Sequence, residues 1–375
     1  MGQAFPHMPR SIPSPAPGLS RREMILRTGI TALGFSAAGW PLARADDTKK
    51  KRVLFFSKCS DFVHEVIDRH GQPLSYAERI LAADGPGQGL DFTFSKDGSL
   101  FTPGYLAQFD AFCFYTSGDL LVAGKPPGTG HAGDGNPPMT TAGKAALLDA
   151  IAAGKGFVGI HSAADTFHTG ETAETNTGQA RTWRYRSAGD LADPYVRMLG
   201  AEFIVHGMEQ VATMRVVDPR FPGMAGLGDH FARKDEWYSL TDFSHDLHVL
   251  LVQETADMTR PEIKAESPTP DDWKPYVRPP YPATWARMHG KGRVFYTSMG
   301  HGDNGPEAGN DWDFPAFRQI LYGGMAWAVG NVDADITPNI EQVTPGAWDL
   351  PPPSAPVAGL PKKPKAAPKA ANPPS

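Results

Sequence analysis

Lys155-Gly156-Phe157-Val158-Gly159-Ile160-His161-Ser162-Ala163-Ala164-Asp165 is the stretch from which this fold can be read. The apolar and glycine run ending at Ile160 has the character of a buried strand, and it breaks into a turn of small residues. Gly-x-X-x-small after a strand is the frame of a nucleophile elbow, in which the central side chain stands at the strand's carboxyl end. Enzymes that use this turn place Ser or Cys there, whereas this chain has His161. A ligand or proton-transfer group thus occupies the nucleophile's place. Taken alone, the fragment reads equally as a strand-to-loop turn with an incidental histidine.

Working outward, the flanking segments repeat a strand–helix rhythm. Arg52–Ser57, Leu90–Ser95 and Phe109–Tyr115 read as strands. Leu74–Ala83 has helical spacing, and Thr140–Ala153 is a helix with a Thr cap and a terminal Gly154. This rhythm predicts a parallel sheet with helices on both faces. After Tyr195 the pattern changes: Val211–Val217, Leu247–Val252, Ala283–Met288 and Arg293–Thr297 read as strands joined by long loops, and Phe314–Val329 as a closing helix. The expected fold class is α/β: a doubly wound, mostly parallel, flavodoxin-like sheet with extra strands in the second half. Ligands of such sheets bind beyond the carboxyl ends of the strands.

The two ends stand outside this fold. Ser20-Arg21-Arg22-Glu23-Met24-Ile25-Leu26, a weakly apolar run to Trp40 and the A-x-A site Ala43-Arg44-Ala45 read as a removable twin-arginine export signal over 1–45. The run is too short to span a bilayer, and the expected location is periplasmic or extracellular. Residues 351–375 are Pro, Ala and Lys with almost nothing to bury, and read as a disordered tail. The folded domain is expected over 46–335, with long Gly/Pro-rich loops at 122–138 and 260–282. A net charge of −5 over 375 residues points to neither nucleic acid nor an anionic membrane. Two cysteines make no disulfide framework; Cys113 reads as core and Cys59 as exposed after a strand.

Several polar residues fall near strand ends: His64, His161 with Ser162 and Asp165, His206, Asp235-Glu236, and His301 with Asp303. On parallel strands, His64, His161 and His301 emerge at one edge. Three imidazoles and a carboxylate there suit a divalent metal, zinc first, and equally suit acid/base and hydrogen-bonding work around a polyol. No H-E-x-x-H or C-x-x-C clip is present, so a metal site must be assembled from distant segments. Trp183, Trp237, Tyr238 and Trp285 are candidate flat walls for a sugar face, or plain core.

Five motifs resemble the ThuA-like, or trehalose-utilisation, family, of class I glutamine amidotransferase-like architecture. They are Phe62-Val63-His64; Gly156 to Ala163; Leu199-Gly200-Ala201-Glu202-Phe203 with His206; Asp235-Glu236-Trp237-Tyr238; and Pro282-x-x-Trp285 with Gly290 to His301. Together they span roughly 52–330. Many members carry a His-Pro pair where this chain reads Arg220-Phe221-Pro222. The resemblance implies a carbohydrate-related role. It does not imply amidotransferase chemistry, because His161 replaces the required thiolate. The expected enzyme is a sugar isomerase or lyase, or a metal-dependent hydrolase. Its base is His161 or Glu236, with Asp165 beside them as a further catalytic group. His206 and His301 are the expected metal ligands, and His64, Ser162, Trp237, Tyr238 and Trp285 the substrate contacts. A carbohydrate is the expected small-molecule partner, with no nucleic acid and no membrane-spanning segment. The rival reading is a non-catalytic sugar-binding module serving a transporter or partner oxidoreductase.

Overall fold

The computed structural model describes residues 50–124, 133–169, 188–258, 275–302 and 311–351. The export signal over 1–45, Trp183, Asp303, the tail from 352 onward, and the central parts of both Gly/Pro-rich loops lie outside the described residues.

Eleven strands are described: β1 (Lys51–Phe56), β2 (Leu90–Ser95), β3 (Ala111–Phe114), β4 (Gly156–Ile160), β5 (Glu202–His206), β6 (Gln210–Val216), β7 (His230–Asp235), β8 (Tyr238–Thr241), β9 (His248–Glu254), β10 (Tyr281–His289) and β11 (Gly292–Thr297). Nine form one sheet in the order β2-β1-β3-β4-β11-β10-β9-β6-β7, and β5 pairs with β8 apart from it. The first five strands of that order run parallel. From β11 onward every pairing is antiparallel. The sheet is therefore flavodoxin-like through β11, and the extra strands extend it as an antiparallel half.

Helices cover both faces of the parallel half, which is why its central strands β3 and β4 are apolar throughout, while β2 at the edge alternates. On one face Phe55, Val158 and Ile160 pack with α1 (Tyr76–Asp84) and with Phe317, Ile320 and Leu321 of α5 (Pro315–Ala328). On the other, Phe56, Phe114 and Phe157 pack with Leu147 and Ile151 of α3 (Thr141–Ala152), and with Tyr195 and Leu199 of α4 (Pro194–Leu199). The short α2 (Pro103–Leu106) precedes β3. The Thr140 hydroxyl caps α3 by accepting the Gly143 N–H. Ser75 and Glu78 form a full capping box on α1. Among the described residues no helix is long and apolar enough to cross a membrane.

Three expectations are corrected by the packing. Cys59 is fully buried, as is Cys113, and both are free thiols. Trp237 and Trp285, expected as sugar-facing walls, are wholly buried. Each indole N–H finds a backbone carbonyl at 2.9 Å, that of Gln210 or Leu199, so both rings have core partners at both ends.

Candidate metal and acid/base centre

The elbow is real. His161 leaves β4 with φ +45°, in the left-handed region that non-glycine residues rarely adopt. Its neighbours two positions away must be small. A Cβ on Gly159 would stand 3.0 Å from Leu199 and Tyr296 side chains and 3.2 Å from Ala163 Cβ. Two hydrogen bonds hold the turn: Tyr296 Oη donates to the His161 carbonyl at 2.8 Å, and His161 Nδ1 lies 2.8 Å from the Ser298 carbonyl. A ring nitrogen facing a carbonyl must carry the proton, so in the neutral ring the Ser298 contact leaves Nε2 as the lone-pair nitrogen.

His64, in the turn after β1, and His301, after β11, close on this ring. The His64 ring centroid lies 4.9 Å from that of His161 and 5.2 Å from that of His301. Glu236, between β7 and β8, completes the group: one ligand atom from each of His64, His161, Glu236 and His301 lies within 4.8 Å of the others. Glu236 Oε2 is 3.4 Å from His161 Nε2 and 3.7 Å from His301 Nε2. His64 Nδ1 and His161 Nε2 are buried with no hydrogen-bond partner among the described residues.

The electrostatics favour neutral His64 and His301 beside an ionised Glu236. Burial, reinforced by His161 and His301, pushes the His64 pKa well below its ordinary value. Burial likewise drives His301 down to about 4, with Glu236 opposing. Burial works against the Glu236 carboxylate, yet the facing imidazoles of His161, His206 and His301 hold its pKa below the ordinary range. Uncharged imidazole nitrogens and a carboxylate are the forms that ligate a divalent metal.

His206, expected as a ligand, stands one step outside this group. Its Nδ1 is 2.8 Å from the Gly207 carbonyl and 3.0 Å from Glu236 Oε1. Burial lowers its pKa, but Glu236 and that carbonyl outweigh burial and raise it. With its side chain 39% exposed, His206 is the imidazole of this centre that meets solvent. Tyr238 walls the centre, its ring 4.1 Å from that of His161. Ser162 is fully buried behind the elbow, its hydroxyl without a hydrogen-bond partner among the described residues, rather than open to a ligand.

Asp235 and Glu236 are adjacent but do different things. The Gly300 N–H donates to Asp235 Oδ2 at 3.2 Å and to Asp311 Oδ2 at 2.9 Å. Burial and the neighbouring Asp311 push Asp235 well above the carboxylate range, so it is the protonated member of the pair. Arg233 Nε donates to Asp311 at 2.5 Å. This clamp, with Tyr115 Oη on the Gly300 and His301 carbonyls, fixes the His301 loop.

Sequence reasoning did not mark Arg233, Asp311, His168 or the role of Glu202. Asp165, at the end of the elbow turn, is hydrogen bonded to His168 Nε2, and His168 Nδ1 lies 2.9 Å from Glu202 Oε1. The signal available was the i, i+3 spacing of Asp165 and His168 beside an elbow.

The family model ThuA, trehalose utilisation, matches residues 52–328. No curated protein matches the chain. Similar solved structures include a ThuA-like protein from Parabacteroides merdae (13% identity, TM-score 0.48, covering 76% of this chain and 92% of that one). Another ThuA-like protein, from Bacteroides uniformis, has 17% identity and TM-score 0.45, covering 77% and 95%. A cytoplasmic protein from Salmonella typhimurium has 10% identity and TM-score 0.41, covering 74% and 98%.

Proposed function

The chain belongs to the ThuA, trehalose-utilisation, family, and from that premise we propose a metal-assisted enzyme that moves a proton next to a carbonyl of a sugar. The supporting observation is the convergence of His64, His161, Glu236 and His301, with His64 Nδ1 and His161 Nε2 buried and without a hydrogen-bond partner among the described residues. Buried polar atoms without partners are costly, and a bound cation relieves that cost. Three imidazoles and one carboxylate form a donor set suited to zinc or a similar divalent ion. Held by these four residues, such an ion would supply Lewis acidity toward a substrate carbonyl and so acidify the adjacent C–H.

The chain's own groups divide the remaining tasks. Ser298 holds His161 in the tautomer that presents Nε2. Glu236 carries the charge that compensates the centre. His206, hydrogen bonded to Glu236 and open to solvent, exchanges a proton with a bound ligand. Isomerisation, epimerisation and elimination all need these parts. Export by the twin-arginine route, read from Ser20 to Ala45, belongs to this proposal and is checked by whether that segment directs a reporter out of the cytoplasm.

The test is metal analysis of protein purified without chelator or affinity-tag metal, beside His161→Ala and Glu236→Gln. Near-stoichiometric divalent metal, lost in both variants, is the expected outcome. Metal-free wild type that takes up none on dialysis would overturn the metal reading and favour a sugar-binding module.

A further inference from the structure

The far limb of the Gly/Pro-rich loop read over 260–282 returns to the centre. Tyr276 and Arg278 on this limb are both buried. Arg278 moors it. Its Nη1 donates to the Leu240 carbonyl at 2.6 Å and to Ser239 Oγ at 3.1 Å, and its Nη2 donates to the Ala347 carbonyl. The Arg278 carbonyl in turn accepts the Thr255 hydroxyl at 2.6 Å. Several fixed donors on one planar fork set the limb's position along β8.

Tyr276 uses that anchorage. Its hydroxyl donates to the Trp237 carbonyl at 2.6 Å and accepts the Gly207 N–H at 2.8 Å. Trp237 follows Glu236 and Gly207 follows His206, so one oxygen joins the peptides beside both side chains. These peptides also face each other. β5 and β8 are antiparallel, and their ladder ends at His206 opposite Tyr238, so the next rung is Gly207 opposite Trp237. At that rung the phenolic oxygen takes the N–H and the carbonyl in place of a direct bond between them. Gly207 makes room for it, since a Cβ there would stand 2.9 Å from the Tyr276 ring. Burial pushes the phenol's pKa well above its ordinary value, so it stays a donor. Across the wedged rung, Glu236 Oε1 lies 3.0 Å from His206 Nδ1, while Oε2 faces His161 at 3.4 Å and His301 at 3.7 Å.

We propose that Tyr276 is a positioning residue of the metal centre: a hydroxyl wedge between β5 and β8 that holds Glu236 with one oxygen on His206 and the other toward His161 and His301. The proposal rests on the metal reading above. A carboxylate held in this way is placed before the ion arrives, and outer supports of this kind are worth about 10- to 100-fold in metal affinity. Phenylalanine at position 276 fills the same space but frees the Gly207 N–H and the Trp237 carbonyl, which then seek new partners and carry Glu236 with them.

The experiment measures zinc affinity by chelator competition on wild type, Tyr276→Phe and Tyr322→Phe. Tyr322 supplies the comparison: its ring is buried too, and its hydroxyl donates to Asp84 at 3.1 Å, between α5 and α1. Tyr276→Phe should bind zinc about 10- to 100-fold more weakly than wild type, with a changed visible spectrum of the cobalt-loaded protein, which reports ligand geometry. Tyr322→Phe should match wild type in both. Wild-type affinity and an unchanged cobalt spectrum in folded Tyr276→Phe would overturn the proposal. Equal weakening in the two variants would do the same, because it would be a general effect of lost stability. A second measurement needs neither metal nor variant. Proton NMR of wild type in chelator should show the Tyr276 hydroxyl proton in slow exchange with water, and exchange as fast as that of an exposed tyrosine would overturn the wedge. Wild type that binds no zinc overturns the metal reading and the part of Tyr276 in it, while the hydroxyl signal judges the wedge separately.

Discussion

Replacing His301 with Gln should make the metal-free protein more resistant to acid. His301 titrates at about 4 in the folded chain against 6.5 when exposed, because burial disfavours its charged form. A folded pKa below the unfolded one means the unfolded chain binds more protons between the two values. The stabilising contribution of neutral His301 is therefore complete above pH 6.5 and is lost as the pH falls toward 4. At pH 5 the unfolded imidazole is almost wholly protonated and the folded one about a tenth, a loss of about 2 kcal/mol relative to pH 8. Below pH 4 the loss reaches about 3 kcal/mol, at about 1.36 kcal/mol per pH unit. Gln keeps a polar group of similar reach and has no proton to gain. Urea denaturation of both proteins at half-unit steps from pH 8 to 4.5, in chelator, gives the difference directly. His64 is depressed in the same direction, first by burial, which both proteins keep. Glu236, whose carboxylate is held below its ordinary value, loses its contribution only at still lower pH. Two stability curves that stay parallel down to pH 4.5 would refute the burial argument for His301.

Two further outcomes follow from the supports of the centre. Gly159→Ala forces a Cβ to 3.0 Å from Leu199 and Tyr296 and should cost about 1–3 kcal/mol in thermal unfolding, with metal content falling as the elbow shifts. Asp235→Asn, which mimics a carboxyl already protonated beside Asp311, should stay within about 1 kcal/mol of wild type. Asp235→Ala, which removes one acceptor of the Gly300 N–H, should cost about 1–3 kcal/mol. Equal losses in the two Asp235 variants would show that the pair is not one acid and one carboxylate.

The parallel half of the sheet was legible because burial on both faces writes itself as continuous apolar runs, as in Val53–Phe56 and Gly156–Ile160. β7 was not: His230–Asp235 alternates exposed and part-buried positions at the sheet edge, and its polar residues read as loop. β5 and β8 are five and four residues long and pair only with each other, too short to carry a pattern. The elbow marked His161, and topology put His64 and His301 beside it. Trp237 and Trp285 were ambiguous because an aromatic residue does not say which side of a strand end it faces; both indoles found backbone carbonyls inside. His168 and Glu202 meet across 34 positions, a pairing that periodicity cannot reveal.

The backbone at His161 ties these parts together. Holding a non-glycine residue in the left-handed region costs about 1–2 kcal/mol, and such strain persists only where the surroundings over-determine it. Here they do so from three sides. Tyr296 and Ser298 of one connection hold the His161 carbonyl and ring, Gly159 and Ala163 leave no room for a relaxed turn, and the Gly118 N–H and His168 hold Asp165 at the turn's far end. A turn kept merely for chain reversal would not need this, since glycine at position 161 would remove the strain. The strain therefore serves the imidazole. The elbow that elsewhere raises a nucleophile here raises the His161 ring beside His64, Glu236 and His301, and the same turn ends at Asp165 four residues later. His161 and Asp165 thus share one rigid support, held at both ends.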